Sequence, residues 1–283
     1  MSNNLLVLNN VSSLINDDKL KPFWNKQTPN WLVKILDTKY ITNNKLVINE
    51  VENICSISIN SSEYDQIHSG NNLYKEPKYI NLIPIETILK IPSNILEIAN
   101  SPNNQYTDQL DLSVQKIKEE QENFYINGQS GIFEYCKQHN KLIYSNNHIS
   151  PNSLDELMSH VWIKPTFFLM HPKALSTFSK ICNKQSINLN TIDLFGHPFI
   201  SWRGLPIITS DKIEVNNETY VYLIRSGESE NGVIKLYNDN SDNGFFIRKN
   251  ETDNSGLNYT RISLYTNIAI IDTDSICAIK CKM

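Results

Sequence analysis

Glycine is scarce in this chain, nine in 283 residues, and none falls into GxGxxG or GxxxxGKS/T spacing. No backbone loop of the phosphate-cradling kind is therefore encoded. Basic residues are also few: 26 Lys and Arg stand against 30 Asp and Glu, for a net charge of -4. They form no cluster, and nucleic-acid binding needs clustered cations to neutralise phosphates, so no nucleic-acid partner is expected. No run approaches the roughly 18 uninterrupted apolar residues of a membrane span, so no membrane partner is expected. The N-terminus, MSNNLLVLNNVSSLINDDKL, lacks the basic-then-apolar order of an export signal, and a cytoplasmic location follows as the expectation. The five cysteines, Cys55, Cys136, Cys182, Cys277 and Cys281, include no CxxC pair and read as reduced structural thiols. Cys277 and Cys281 stand four apart in a strand-like run, facing the same side. There is no HExxH. Glu119, Glu120 and Glu122 have no His at ligand spacing and read as a solvated helix face. His171 and His197 lack a patterned Ser, Cys or carboxylate beside them and read as structural. No catalytic residue, cofactor or metal site is expected.

What is present is an ordinary globular composition, 40% hydrophobic and 20% charged, enough to bury a sizeable core. The densest signals lie between Ser153 and Lys212. Ser153 and Glu156 have capping-box spacing, predicting a helix with Leu154, Leu157, Met158 and Val161 on one side. Pro165 ends any continuation, and Phe167, Phe168, Leu169 and Met170 form a run of buried-strand length. Pro172 opens an amphipathic helix carrying Ala174, Leu175, Phe178, Ile181 and Cys182. Two β-rich runs, FGHPFISW and LPIITSDK, then meet across a turn at Arg203 and Gly204. Asp193, Arg203, Asp211 and Lys212 are expected to form structural or subunit-contact pairs.

Upstream, residues 106–127 carry Leu110, Val114, Ile117 and Phe124 at helical steps, with Gly128 as the stop. Residues 129–152 read as a connection. Downstream, YVYLIRS, GVIKLYN, GFFIRKN and RISLYTNIAIID are four strands, the last apolar enough for the middle of a sheet. The class is α+β. Residues 1–35 have anchors but no core of their own and need another surface.

The runs SLDELMSHVWIKPTFFLMHPKALSTF and DLFGHPFISWRGLPIITSDKI resemble the family 2 encapsulin shell proteins, prokaryotic nanocompartments on the tailed-phage major capsid fold. The resemblance extends through NQYTDQLDLSVQKIKEEQENFYING and RISLYTNIAIIDTDSICAIK, roughly residues 80–283, and is loose in the N-terminal third. The family's other branch inserts a cyclic-nucleotide-binding-like domain near NILEIANSPNN; its absence implies the 2A branch. The resemblance implies an N-terminal arm at 1–35, with Trp24 and Trp31 as interface anchors, and an extended β-hairpin loop at 36–62. It further implies a peripheral domain from 63–152 and 256–283 with a spine helix at 106–127, and an axial domain at 153–255.

The polar stretch between the Pro172 helix and the next strand, with Asn183, Lys184, Gln185, Ser186, Asn188 and Asn190, occupies the position of a five-fold pore loop in such shells; an ordinary solvated loop is the other reading. The implied partners are the chain itself, as an icosahedral shell of about sixty copies, and a cargo enzyme. For the 2A branch that cargo would be a cysteine desulfurase working in sulfur metabolism or storage. A prophage capsid protein and a small α+β enzyme with dispersed site residues are the alternatives.

Overall fold

The computed structural model describes residues 28–48, 76–90, 105–241, 243–252 and 258–283. Two sheets organise them. The larger has seven strands in the order β5-β14-β10-β6-β9-β8-β7: β5 (Leu142–His148), β6 (Phe167–Met170), β7 (Asn190–Leu194), β8 (His197–Trp202), β9 (Leu205–Thr209), β10 (Glu218–Ile224) and β14 (Ile276–Lys282). Its middle strands are apolar throughout because both faces are covered. Phe167 and Leu169 join a core with Leu32, Tyr125, Ile126 and Ile132. Phe168 and Met170 point the other way, into a core with Leu154, Leu157, Ala174, Phe178, Cys182, Cys277 and Cys281. On the first side lie α1 (Trp31–Ile35), α2 (Gln105–Asn127) and α3 (Ile132–Gln138); on the second, α4 (Pro151–His160) and α5 (Pro172–Lys184).

The second sheet is built on β13 (Asn258–Ile270). Along one edge run β11 (Val233–Asn238) and β12 (Phe245–Thr252) in succession, and along the other β4 (Ile83–Lys90), all antiparallel to it. β1 (Asp37–Ile41) adds to β11 in parallel. The long helix α2 lies against this sheet through Ile117, packed with Tyr237, Ile262 and Leu264 and flanked by Leu110 and Val114. Gln121 Nε2 reaches Tyr125 OH (2.8 Å) and Tyr237 OH (2.7 Å) in the same interface, a buried polar knot. A separate two-stranded ribbon pairs β2 (Lys45–Ile48) with β3 (Lys78–Asn81). In it Lys45 Nζ sits 3.6 Å from the Tyr79 ring centroid.

Several expectations are corrected. The α4 helix starts at Pro151 behind Ser150, so Ser153 is not its cap; Pro151 at the first position fixes the helical φ and sets the earlier start. Residues 129–152 hold α3 and β5, because Ile132 and Cys136 pack into the core and β5 pairs in parallel with β14. Of the stretch 36–62 expected as an extended loop, residues 49–62 lie outside the described residues. β1 belongs to the five-stranded sheet, where Ile41 is buried with Ile234 and Leu236, and the strand opposite β2 is β3. Nor do the sheets divide at 153–255. β11 and β12 lie in the five-stranded sheet, while β5 and β14, outside that range, extend the seven-stranded one. Strand pairing, not chain order, sets those boundaries.

Candidate functional site

The surfaces that could act in assembly begin with the tip beyond α5. Asn183 and Lys184 are the last helical residues, and Asn190 already opens β7, so the loop is shorter than the polar stretch suggests. The helix ends in a Schellman arrangement. Ser186 takes the left-handed conformation (φ 57°). Its N–H donates to Asn183 O at 3.2 Å, and the Ile187 N–H donates to Cys182 O at 2.9 Å. Ile187 packs into the core that holds Cys182. The tip is thus a rigid turn, from which Lys184, Gln185, Ser186 and Asn188 face solvent. Lys184 in the last turn of α5 complements the helix dipole.

The second surface is the arm root, residues 28–36. Trp31, expected as an anchor on a neighbouring subunit, is used within its own chain. Its ring stacks on Phe195 (centroids 6.1 Å apart) and meets His197 and Phe199 edge-on at 5.1 and 5.0 Å. Leu32 and Leu36 behind it are buried. For residues 28–35 the apolar surface comes from the chain's own sheet, and residues 1–27 of the expected arm lie outside the described residues. Trp24 lies outside the described residues.

Carboxylates of α2 hold this root. Glu119 and Glu122 are buried, contrary to the solvated face their sequence suggests, because the root covers them. The Thr28 hydroxyl lies 2.9 and 2.8 Å from the two Glu119 oxygens, and the Leu32 N–H donates to Glu122 Oε1 at 3.1 Å. Lys212 Nζ pairs with Glu119 Oε2 (2.6 Å) and Asp211 Oδ1 (3.0 Å). Burial pushes the Glu122 carboxyl up to about 7, against the opposing pull of the Leu32 N–H. At the opposite end of α1 the buried Lys235 amine donates to Val33 O.

Asp155, Arg203 and His171 make local structural contacts. Asp155 Oδ1 accepts from Trp202 Nε1 at 2.7 Å, and its Oδ2 from Arg203 Nη2 at 3.0 Å, fixing α4 to the β8–β9 turn. Arg203 and Gly204 (φ 51° and 83°) form that turn. Asp193 is exposed on β7. His171 caps α5, its Nδ1 accepting from the Lys173 N–H at 3.0 Å, and burial lowers its pKa. Cys136, Cys182, Cys277 and Cys281 are free, buried thiols, and burial raises each of them, Cys277 to about 11. Such thiols are poor nucleophiles. Cys55 lies outside the described residues. Among the described residues no group of three His, Cys, Asp or Glu side chains could hold a metal ion, and no helix is long and apolar enough to cross a membrane. Among the described residues the most exposed large apolar side chains are Trp162 at 75% and Tyr144 at 74%.

The structure superposes on a solved holo-SrpI encapsulin complex from Synechococcus elongatus with a TM-score of 0.81, at 29% identity, covering 95% of this chain and 93% of that one. It also superposes on the capsid of a native GTA particle with a TM-score of 0.69 over 96% of each chain, but at 11% identity, a likeness of fold alone. The capsid-like α+β fold expected from sequence is thereby shown. In sequence, the type 2A encapsulin shell protein SrpI of Synechococcus elongatus is 31% identical over 96% of this chain and 92% of its own length. The family model described as type 2A encapsulin shell protein SrpI-like matches residues 46–281, and the chain belongs to that family of shell proteins.

Proposed function

We propose that this chain is the repeating subunit of a closed icosahedral nanocompartment, about sixty copies in its smallest form, which encloses a cargo enzyme in the cytoplasm. The observation that carries the reading is relatedness along nearly the whole chain to a shell protein, 31% identity over 96% of its length, together with the TM-score of 0.81 to an encapsulin complex. A prophage capsid would share the fold, but the GTA capsid is 11% identical, so descent favours the compartment. The relatives are named as shell proteins, which supports a structural role for this chain and leaves catalysis to the cargo.

Within that subunit, the seven-stranded sheet with α4 and α5 serves as the axial part, and the five-stranded sheet with α2 as the peripheral part. The turn after α5 rims the five-fold opening, where Lys184 contributes a positive charge per copy. Trp24 contacts a neighbouring subunit. The cargo is a cysteine desulfurase of sulfur metabolism or storage, a reading supported by the resemblance to the 2A branch.

Size-exclusion chromatography and electron microscopy of the purified chain test the shell: closed particles of megadalton mass are expected, and a homogeneous small oligomer without particles would overturn it. Alanine formation from cysteine, with sulfide release once a thiol reductant is added, by particles purified from the native host tests the cargo. Shells carrying other enzymes and no such activity would refute that part alone.

A further inference from the structure

The arm root is gripped at both ends of α1 by buried ionisable side chains, Glu122 at the Leu32 N–H and Lys235 at the Val33 carbonyl. The two grips are not equivalent. Around Glu122 stand two more carboxylates, Glu119 and Asp211, and one ammonium, Lys212. That ammonium is already engaged by both other carboxylates, at 2.6 and 3.0 Å. Glu119 is further satisfied by Thr28 through its hydroxyl and its N–H. The hydrogen-bond partner of Glu122 is the neutral Leu32 N–H, and its side chain is sealed from water at 1% exposure. The buried Glu119 and Glu122 and the half-exposed Asp211 share that one ammonium, so an extra proton rests most readily on the buried member without a cation, which is Glu122.

We propose that Glu122 is a proton-operated latch for the arm root: carrying a proton it seats residues 28–36 on α2, and on losing that proton it loosens them. The root covers Glu122, so lifting the root returns the carboxyl to water and to its ordinary acidity. The docked form therefore binds the proton more tightly than the open form. Docking is strongest in acid and weakens as the pH rises from 4.5, the ordinary value, to about 7, the docked one; above that it changes no further through this group. Lys212 stays charged throughout: burial works against its proton, but the hydrogen bonds it donates to Glu119 and Asp211 raise its pKa on balance. Lys235 is the opposite case, since burial lowers its pKa, and it would strengthen docking only in the alkaline range where its amine loses its proton.

The test is hydrogen exchange of the full-length protein, read by mass spectrometry as protection factors so that the intrinsic pH dependence of exchange divides out. Between about pH 5.5 and about pH 8.5, protection of the α1 amides should fall by roughly 30-fold, the linkage for an acid moved from 4.5 to about 7, while β6 amides stay level. Glu122→Gln keeps an acceptor for the Leu32 N–H and cannot titrate, so its α1 protection should be flat. Flat protection in the wild type, an undiminished slope in Glu122→Gln, or β6 falling in parallel would each overturn the latch. Should Glu122→Gln fail to fold, the wild-type profile of α1 against β6 decides the matter.

Discussion

Arg225 Nη2 lies 2.5 Å from Asp272 Oδ2, and that pair joins two places where the chain passes from one sheet to the other. Arg225 follows β10 on the way to β11, and Asp272 follows β13 on the way to β14. The Arg225 backbone N–H also donates to Ser275 O (2.8 Å) and its Nη1 to Ile163 O (3.2 Å), so one buried residue gathers three connections, two of them through its guanidinium. These bonds tie the two crossings between the sheets to each other.

Arg225→Ala leaves the Ile163 carbonyl and Asp272 without their donor, while the backbone bond to Ser275 O remains. Removing one partner of a buried, hydrogen-bonded charge costs about 3 kcal/mol where the other partner is half-exposed, as Asp272 is. Thermal melting should fall by roughly 6 °C or more. An unchanged melting temperature would show that apolar packing alone holds the sheets together.

Ser186 bears the strain of a left-handed residue without being glycine (φ 57°). Ser186→Gly relieves a penalty of about 1 kcal/mol and keeps both Schellman hydrogen bonds, so the variant should be more stable than the parent. Comparative melting checks the sign.

Asp155 anchors Trp202 and Arg203 together. Burial pushes its carboxyl upward, but the hydrogen bonds from Arg203 and Trp202 outweigh that and lower its pKa. A depressed carboxyl contributes stability above its unfolded value, about pH 4, and loses it as the pH falls through the folded value. Asp155→Ala should therefore cost about 1–2 kcal/mol at neutral pH, mostly through the unpaired indole N–H. The gap to wild type should shrink in acid, as melting curves at several pH values would show.

Leu32 is fully buried. Truncating a core leucine to alanine costs about 3 kcal/mol, so Leu32→Ala should loosen the arm root, and deleting residues 1–35 should destabilise the fold as well as impair assembly. Circular dichroism during thermal melting separates the two effects. A deletion protein as stable as the parent would return residues 28–35 to the status of a dispensable arm.

Lys184→Glu reverses an exposed charge at the proposed pore rim and opposes the α5 dipole, at a cost of about 0.5 kcal/mol. Shells should still form, while an anionic substrate reaches an enclosed enzyme more slowly. The effect should fade as salt screens the ring beyond roughly 8 Å at physiological strength. Equal turnover in both shells would remove Lys184 from the pore.

Much of this architecture could be read from local spacing. In α5, Pro172 starts the helix and Ala174, Phe178 and Cys182 recur every four residues on its buried side; in β6, four apolar residues in a row announce a strand covered on both faces. These patterns lie within a single element, where helix or strand geometry alone decides which side chains share a face. The resemblance to encapsulin shells was carried by the same stretch. What could not be read is who covers whom. Glu122 and Leu32 meet across 90 positions and Trp31 meets Phe199, and nothing in EEQE or NWLV says that one buries the other. β1 leaves the expected ribbon for β11 because Ile41 finds Ile234 and Leu236 there, a partnership set by where the sheet brings its edge. Periodicity specifies the face a residue presents; the surface that face meets depends on chain closure over long separations, and it turned a run of acidic residues into the buried seat of the arm root.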